Sequence, residues 1–190
     1  MKFLIKFLLI TFSIFLGYYL INQFQIYLLN IFNTQSSENL LASYIYLPHG
    51  FRVIVSYIFG TYSLIGLFIA HLITGIESLS QINNFIIIAS FFSTIAPISA
   101  IFLVFRKIRL TIEDIKIKNI LLVSFLSSIL NSFFSVLTRF VFNFYEDKKI
   151  FSLEFFKFFV GDVFGVLFLF LLLILLLNLK KFFFKKLKLE

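Results

Sequence analysis

From Phe158 to Leu179 the chain is an almost unbroken run of apolar residues, long enough to cross a bilayer as one helix. Further runs of this kind precede it. Of the 190 residues 61% are hydrophobic and only 14% are charged, well below the roughly one quarter usual in soluble domains. A water-soluble core cannot absorb so much apolar surface. The fold expected is therefore all-α: a polytopic transmembrane bundle of about six helices, forming one integral membrane domain over 1–190. The polar stretches between the runs are too short to fold alone.

On a ruler of about 20 residues per crossing, the spans fall near 5–28, 43–59, 62–79, 84–105, 119–143 and 155–178. The first opens Met-Lys-Phe-Leu-Ile-Lys and has the look of a secretion signal, but no small-residue cleavage site follows it. It is expected to stay as an uncleaved helix. The second and third spans meet at Phe59-Gly60-Thr61-Tyr62 with almost no loop. Merged into one helix, 43–79 would reach about 55 Å, nearly twice the hydrocarbon thickness. A tight hairpin at Gly60 is the better expectation.

The basic residues agree. With the N-terminus inside, the cytoplasmic side receives Lys2, Lys6, Arg106, Lys107, Arg109, Lys116, Lys118 and the five lysines from Lys180 to Lys188. Only Lys148, Lys149 and Lys157 fall outside. Such a bias follows the positive-inside rule and would be lost with an odd number of spans. Both termini are expected in the cytoplasm.

Two basic residues and one acid remain within the spans: Arg52, Arg139 and Asp162. A charged group at mid-membrane costs roughly 2.5–3.5 kcal/mol on insertion scales. A chain that keeps one needs a partner for it. His49 and His71 also lie in spans, and Glu77 lies at a span end. Counted at about 1.5 Å per residue, these groups converge on the outer half of the bundle. The fifth span carries a polar stripe, Ser124, Ser128, Asn131, Ser135 and Thr138, ending beside Arg139. The fourth has a weaker counterpart in Ser90, Ser93, Thr94 and Pro97. Gly161-xxx-Gly165 in the sixth span, and Gly66 with Ala70 in the third, offer small surfaces for close helix contact. The expectation is an ion pair between Arg52 and Asp162, with Arg139 nearby. Arg52, Asp162, Arg139, His49, His71 and Asn131 are the candidates for ligand binding or buried pairing. Two plainer readings stand beside it: charges that only lock helix packing, and arginines that snorkel to the interface.

Other chemistry finds little support. Without Cys there is no disulfide, thiolate metal site or Cys nucleophile. The net charge of +8 lies beside apolar runs, so it reads as topology rather than nucleic-acid binding. His49, His71 and Glu77 lack metal-site spacing. No G-x-S-x-G nucleophile motif or Gly-rich phosphate loop occurs. No enzyme activity, metal or cofactor is expected.

Three features stand in order along the chain. Leu47-Pro48-His49-Gly50 opens the second span, followed by Gly60, Tyr62 and Gly66. The basic segment Arg106 to Lys118 contains Thr111-Ile-Glu-Asp114. The sixth span carries Phe155-Phe-Lys-Phe-Phe-Val-Gly161-Asp162-Val-Phe-Gly165. This pattern resembles MASE1, a bacterial membrane-associated sensor domain with a W-P-P-x-G-like opening and a late W-W-x-G-D-x-x-G motif. Pro48, Gly50, Gly161, Asp162 and Gly165 match; Phe and Tyr stand where tryptophans are usual, and His49 and Arg52 depart from the pattern. The resemblance implies a sensory module in the bacterial inner (plasma) membrane. Such domains usually precede a histidine kinase or a cyclic-di-GMP enzyme. This chain ends at Glu190, so a stand-alone module is expected, one that passes its signal to a separate kinase or cyclic-di-GMP protein. An unidentified small ligand would enter from outside and meet Arg52, Asp162 and Arg139. The alternative is a small-molecule transporter, or the substrate-binding subunit of an energy-coupling vitamin transporter, with Asp162 and the histidines suited to proton coupling.

Overall fold

A computed structural model describes residues 2–31, 45–79, 83–106, 116–143 and 148–187, with side chains except at 2–3, 78–79, 148–150 and 177–187. The segment Thr111 to Asp114 and residues 188–190 lie outside what is described, and the rest of the charged tail is described by its backbone alone. The described chain is helical: α1 (Lys2–Ile31), α2 (Leu47–Phe59), a 3-10 turn (Gly60–Tyr62), α3 (Ser63–Leu79), α4 (Asn84–Phe105), α5 (Ile117–Val141) and α6 (Lys148–Leu187).

Helix ends follow local chemistry. Pro48 sits in the first turn of α2, where its missing N–H costs nothing. Asn83 caps α4 by accepting from the Ile86 N–H at 2.9 Å. Arg106 ends the same helix in the left-handed conformation, its N–H bonded to the Phe102 carbonyl at 2.8 Å. Gly60 adopts φ 56° and ψ −133°, a combination that only glycine reaches without strain.

Neighbouring side chains give the direction of each helix. Along α1 and α3, Phe7 meets Tyr62, Ile14 meets Gly66, and Tyr18 meets His71. Those two helices run in parallel. Along α1 and α2 the order reverses: Gln25 bonds the Leu47 N–H, and Phe51 lies against Gly17. The chain thus turns back at Gly60, where the Ser63 hydroxyl donates to the Gly60 carbonyl at 2.7 Å and lies 3.3 Å from Ser56 Oγ.

Among the described residues five segments are long and apolar enough to cross a membrane, one of them Leu47–Glu77, which includes this turn. A count of six crossings is not established. The reason is length: α2 has 13 residues and rises about 20 Å, short of the roughly 30 Å hydrocarbon layer. At the other extreme α6 continues to Leu187, well past the expected end at 178, since lysine and leucine are both good helix formers.

Large apolar side chains cover the outer surface, including Leu8, Phe12, Leu20, Phe91, Phe125, Phe156 and Leu171. Lipid is the medium in which such a surface is stable. Inside, α2 is the central element. On one side Phe51 and Val55 pack with Ile14, Tyr18, Leu67 and Ala70; on another Val53 and Tyr57 pack with Ile101, Val123, Val166 and Phe170. A close backbone contact joins the start of α2 to α6. The Tyr46 N–H bonds the Gly161 carbonyl at 2.8 Å. A Cβ on Gly165 would collide with the Tyr46 carbonyl, and one on Gly50 with the Gly165 carbonyl. The Pro48-His49-Gly50 and Gly161-Asp162-x-x-Gly165 motifs therefore form one seam, far apart in sequence and touching in space. Gly66 plays a similar part on α3, lying against the Thr11 carbonyl and Ile14 of α1.

Candidate functional site

Arg52 and Asp162 both sit in the interior, with exposures of 1% and 0%. Arg52 NH1 donates to Asn131 Oδ1 at 3.3 Å and to the Ser93 carbonyl at 3.1 Å. Asn131 Nδ2 donates to Asp162 Oδ2 at 2.6 Å, and Ser132 Oγ approaches the same oxygen at 3.5 Å. Among the described residues no direct ion pair joins Arg52 to Asp162. The expected pair is corrected to a three-part bridge, with the Asn131 amide taking the guanidinium on one end and the carboxylate on the other. An asparagine suits that place because it presents an acceptor and a donor at once.

The second acceptor of Arg52 has its own origin. Pro97 lies inside α4 and has no N–H to give the carbonyl four residues earlier, which is Ser93. That freed carbonyl is the one Arg52 occupies. Proline in one helix thereby creates a docking point for the arginine of another, giving a buried carbonyl and a guanidinium N–H a partner each.

His49 lies behind the bridge, fully buried, with Nε2 3.2 Å from Ser127 Oγ and Nδ1 4.0 Å from Asp162 Oδ2. Four buried polar atoms here have no hydrogen-bond partner among the described residues: His49 Nδ1, Arg52 Nε, Ser128 Oγ and Asp162 Oδ1. The polar stripe on α5 divides its work. Ser124 and Thr138 bond carbonyls of their own helix, at Ile120 and Phe134, which is the ordinary fate of hydroxyls in apolar helices. Asn131 serves the bridge and Ser135 faces a cavity.

That cavity, about 520 Å³, is open at the end of the bundle where α1 ends and α2 begins. Its walls form ladders: Ile26 to Tyr18 on α1, Glu77 to His71 on α3, Phe85 to Ser93 on α4, and Arg139 to Asn131 on α5. Each ladder descends six to eight residues to a common level, a depth of roughly 9–12 Å. Arg52 closes the floor together with Tyr18, His71, Ser93 and Asn131. The Arg52 guanidinium stands 6.0 Å from the centroid of the Tyr46 ring. His71 Nδ1 is 3.1 Å from Ser90 Oγ. Glu77 is at the rim, within 3.4 Å of Gln23.

Arg139 shares this wall but not the bridge. Its guanidinium lies 4.5 Å over the Phe158 ring and 4.0 Å from Glu154, whose carboxylate also meets Lys157 at 3.1 Å. Of the six candidates, Arg52, Asp162, Asn131 and His49 form one contiguous network. Arg52, Asn131, His71 and Arg139 line the cavity, and Asp162 and His49 lie behind its floor. Sequence reasoning did not single out Tyr18, Tyr46, Ser127, Ser132 or Glu154. Only the two serines carried a signal, as polar neighbours of Asn131 on the same helix. A family-model scan, a search of curated proteins and a search of solved structures each return no match to this chain.

Proposed function

We propose that this chain is an integral membrane sensory module that binds a small molecule within its bundle and acts through separate partner proteins. The observation that carries the reading is the cavity of about 520 Å³ whose floor is a buried arginine held by Asn131 and a proline-freed carbonyl. A cavity of this size is typical of small-molecule sites, with a mostly apolar lining and a few placed polar groups. The resemblance to MASE1 supplies the class of output: a histidine kinase or a cyclic-di-GMP enzyme as partner, in a bacterial inner membrane.

The topology adopted here has six passes and both termini in the cytoplasm. The hairpin supports it: α2 and α3 extend from the level of Gln25 to that of Phe7 on α1, a reach of about 27 Å and close to the hydrocarbon thickness. The positive-inside bias then sets the cavity mouth on the extracytoplasmic side. A ligand would bias two helix packings, as any signal across such a bundle requires.

The test is purification in mild detergent, followed by native mass spectrometry of bound small molecules and partners. The expected result is a bound small molecule that is lost when Ala89, on the cavity wall, is replaced by Trp. Bundles that carry nothing and present no partner enzyme would refute the reading. The transport alternative draws on Asp162 and His49, adjacent and buried with an unpartnered atom each, an arrangement able to carry a proton. Uptake into proteoliposomes that is abolished by Asp162→Asn would favour it.

A further inference from the structure

Which chemistry the cavity takes follows from its floor and walls. Arg52 is the one charged group at the bottom, and its Nε has no partner among the described residues. NH1 is committed to Ser93 and Asn131, which hold the side chain in place before any ligand arrives. A guanidinium fixed in this way is suited to a planar carboxylate. It is not suited to a dianion: Asp162 already draws on the same positive charge through Asn131, and burying two further negative charges against one arginine is costly. A cationic ligand would meet Arg52 at the floor and Arg139 on the wall. Above the floor the walls are mostly apolar, with Ile26, Phe85, Ile86, Ala89 and Phe158 along the shaft and Asn22, Thr74 and Ser135 as polar points between them.

Resting on the reading that the cavity is a ligand site, we propose that it binds a small monocarboxylate with an apolar or aromatic body, its acid group down on Arg52. The shaft depth of roughly 12 Å accommodates a body of about ten non-hydrogen atoms. Longer acids would protrude into the rim, where Glu77 opposes them.

The experiment measures thermal stability of the full chain in detergent against matched probes: octanoate, octanamide and octylamine, with 3-phenylpropionate, its amide and its amine beside them. Octyl phosphate tests the dianion and palmitate tests chain length. One or both acids should raise the melting temperature above the matched amide and amine by several degrees, and the shift should vanish in Arg52→Gln. Arg52→Lys should lose most of it. Ser152→Ala, on the exposed part of α6 away from the cavity, should keep it. Equal shifts from acid, amide and amine that Ala89→Trp abolishes would keep the cavity as a ligand site and overturn the carboxylate assignment. No shift from any probe overturns the assignment, and with an empty bundle in mass spectrometry it removes the ligand reading too. Palmitate matching octanoate would indicate that the acid enters from the bilayer with its chain in lipid, and would overturn the enclosed shaft as the site. Octyl phosphate binding as tightly as octanoate would overturn the argument from the shared charge. If Arg52→Gln fails to fold, the acid-over-amide difference in the unmodified chain decides.

Discussion

Removing either end of the Arg52–Asn131–Asp162 bridge should reveal a coupling set by its geometry. The two hydrogen bonds, 3.3 and 2.6 Å, and the width of the amide between them separate NH1 from the carboxylate by roughly 6–8 Å. At an effective dielectric constant of about 20, opposite charges at that distance attract by roughly 2–3 kcal/mol, against about 4 kcal/mol for contact at 4 Å. Arg52→Gln or Asp162→Asn alone should each cost about 3–5 kcal/mol, because the opposite charge is left buried without compensation. The double variant should be less destabilised than the sum by about 2–3 kcal/mol. Reversible unfolding in bicelles by steric trapping can resolve differences of that size. Asn131→Leu, close in volume but without the amide, should cost as much as losing either charge. Additive single effects, or an Asn131→Leu penalty below about 1 kcal/mol, would refute the bridge.

Three further outcomes follow. Pro97→Ala restores an N–H facing the Ser93 carbonyl, so the gain of about 3 kcal/mol expected from helix propensity should shrink below about 1 kcal/mol in a thermal melt; the full gain would show that Arg52 does not depend on that carbonyl. Gly165→Ala places a methyl group on the Tyr46 carbonyl and should cost about 1–3 kcal/mol or more, with α2–α6 proximity, read by engineered cross-links, visibly reduced; native stability would refute the seam. Asp162→Asn frees Arg52 from its shared charge, so octanoate should bind several-fold more tightly to the variant even as the bundle loses stability; weaker binding by titration calorimetry would place Asp162 in the site itself.

Much of this arrangement was legible in the sequence, for a physical reason. A charge within an apolar run cannot remain unpartnered, so Arg52 and Asp162 point to each other once spans and their directions are assigned. Span assignment rests on length and lysine bias, which hydropathy carries directly. The Gly60 turn was legible because the alternative helix is too long for the bilayer. Lateral order was not legible: hydropathy does not say which helix stands between α2 and α6, so Asn131 read as a stripe residue and not as the bridge. Tyr18 could not be found because α1 has three tyrosines, Tyr18, Tyr19 and Tyr27, and no apolar periodicity that would tell which of them faces inward. Glu154 escaped because it lies one residue outside the expected sixth span, and so Arg139 was grouped with Asp162 when its carboxylate neighbour is Glu154. Pro97 is the intermediate case. Its missing N–H identifies Ser93 as a freed acceptor from sequence alone, but not the donor that finds it.

The seam between α2 and α6 bears on how occupancy of the cavity could reach a partner. Gly50 and Gly165 leave no room between the two backbones, and the Tyr46 N–H ties them at the cavity end. Arg52 is two residues beyond Gly50 on α2, and Asp162 is one residue after Gly161 on α6. Any force on Arg52 from a bound anion therefore acts on a pair of helices that are packed without slack and joined by Asn131 besides. Close-packed elements of this kind shift as units between discrete arrangements and do not deform gradually. The unit includes the longest of the described helices: α6 has 40 residues, about 60 Å, and more than half of them lie beyond Gly165. On the proposed sensory reading, a small displacement at the cavity floor would be carried along α6 to the far face of the bundle, the side on which a partner protein would have to read it.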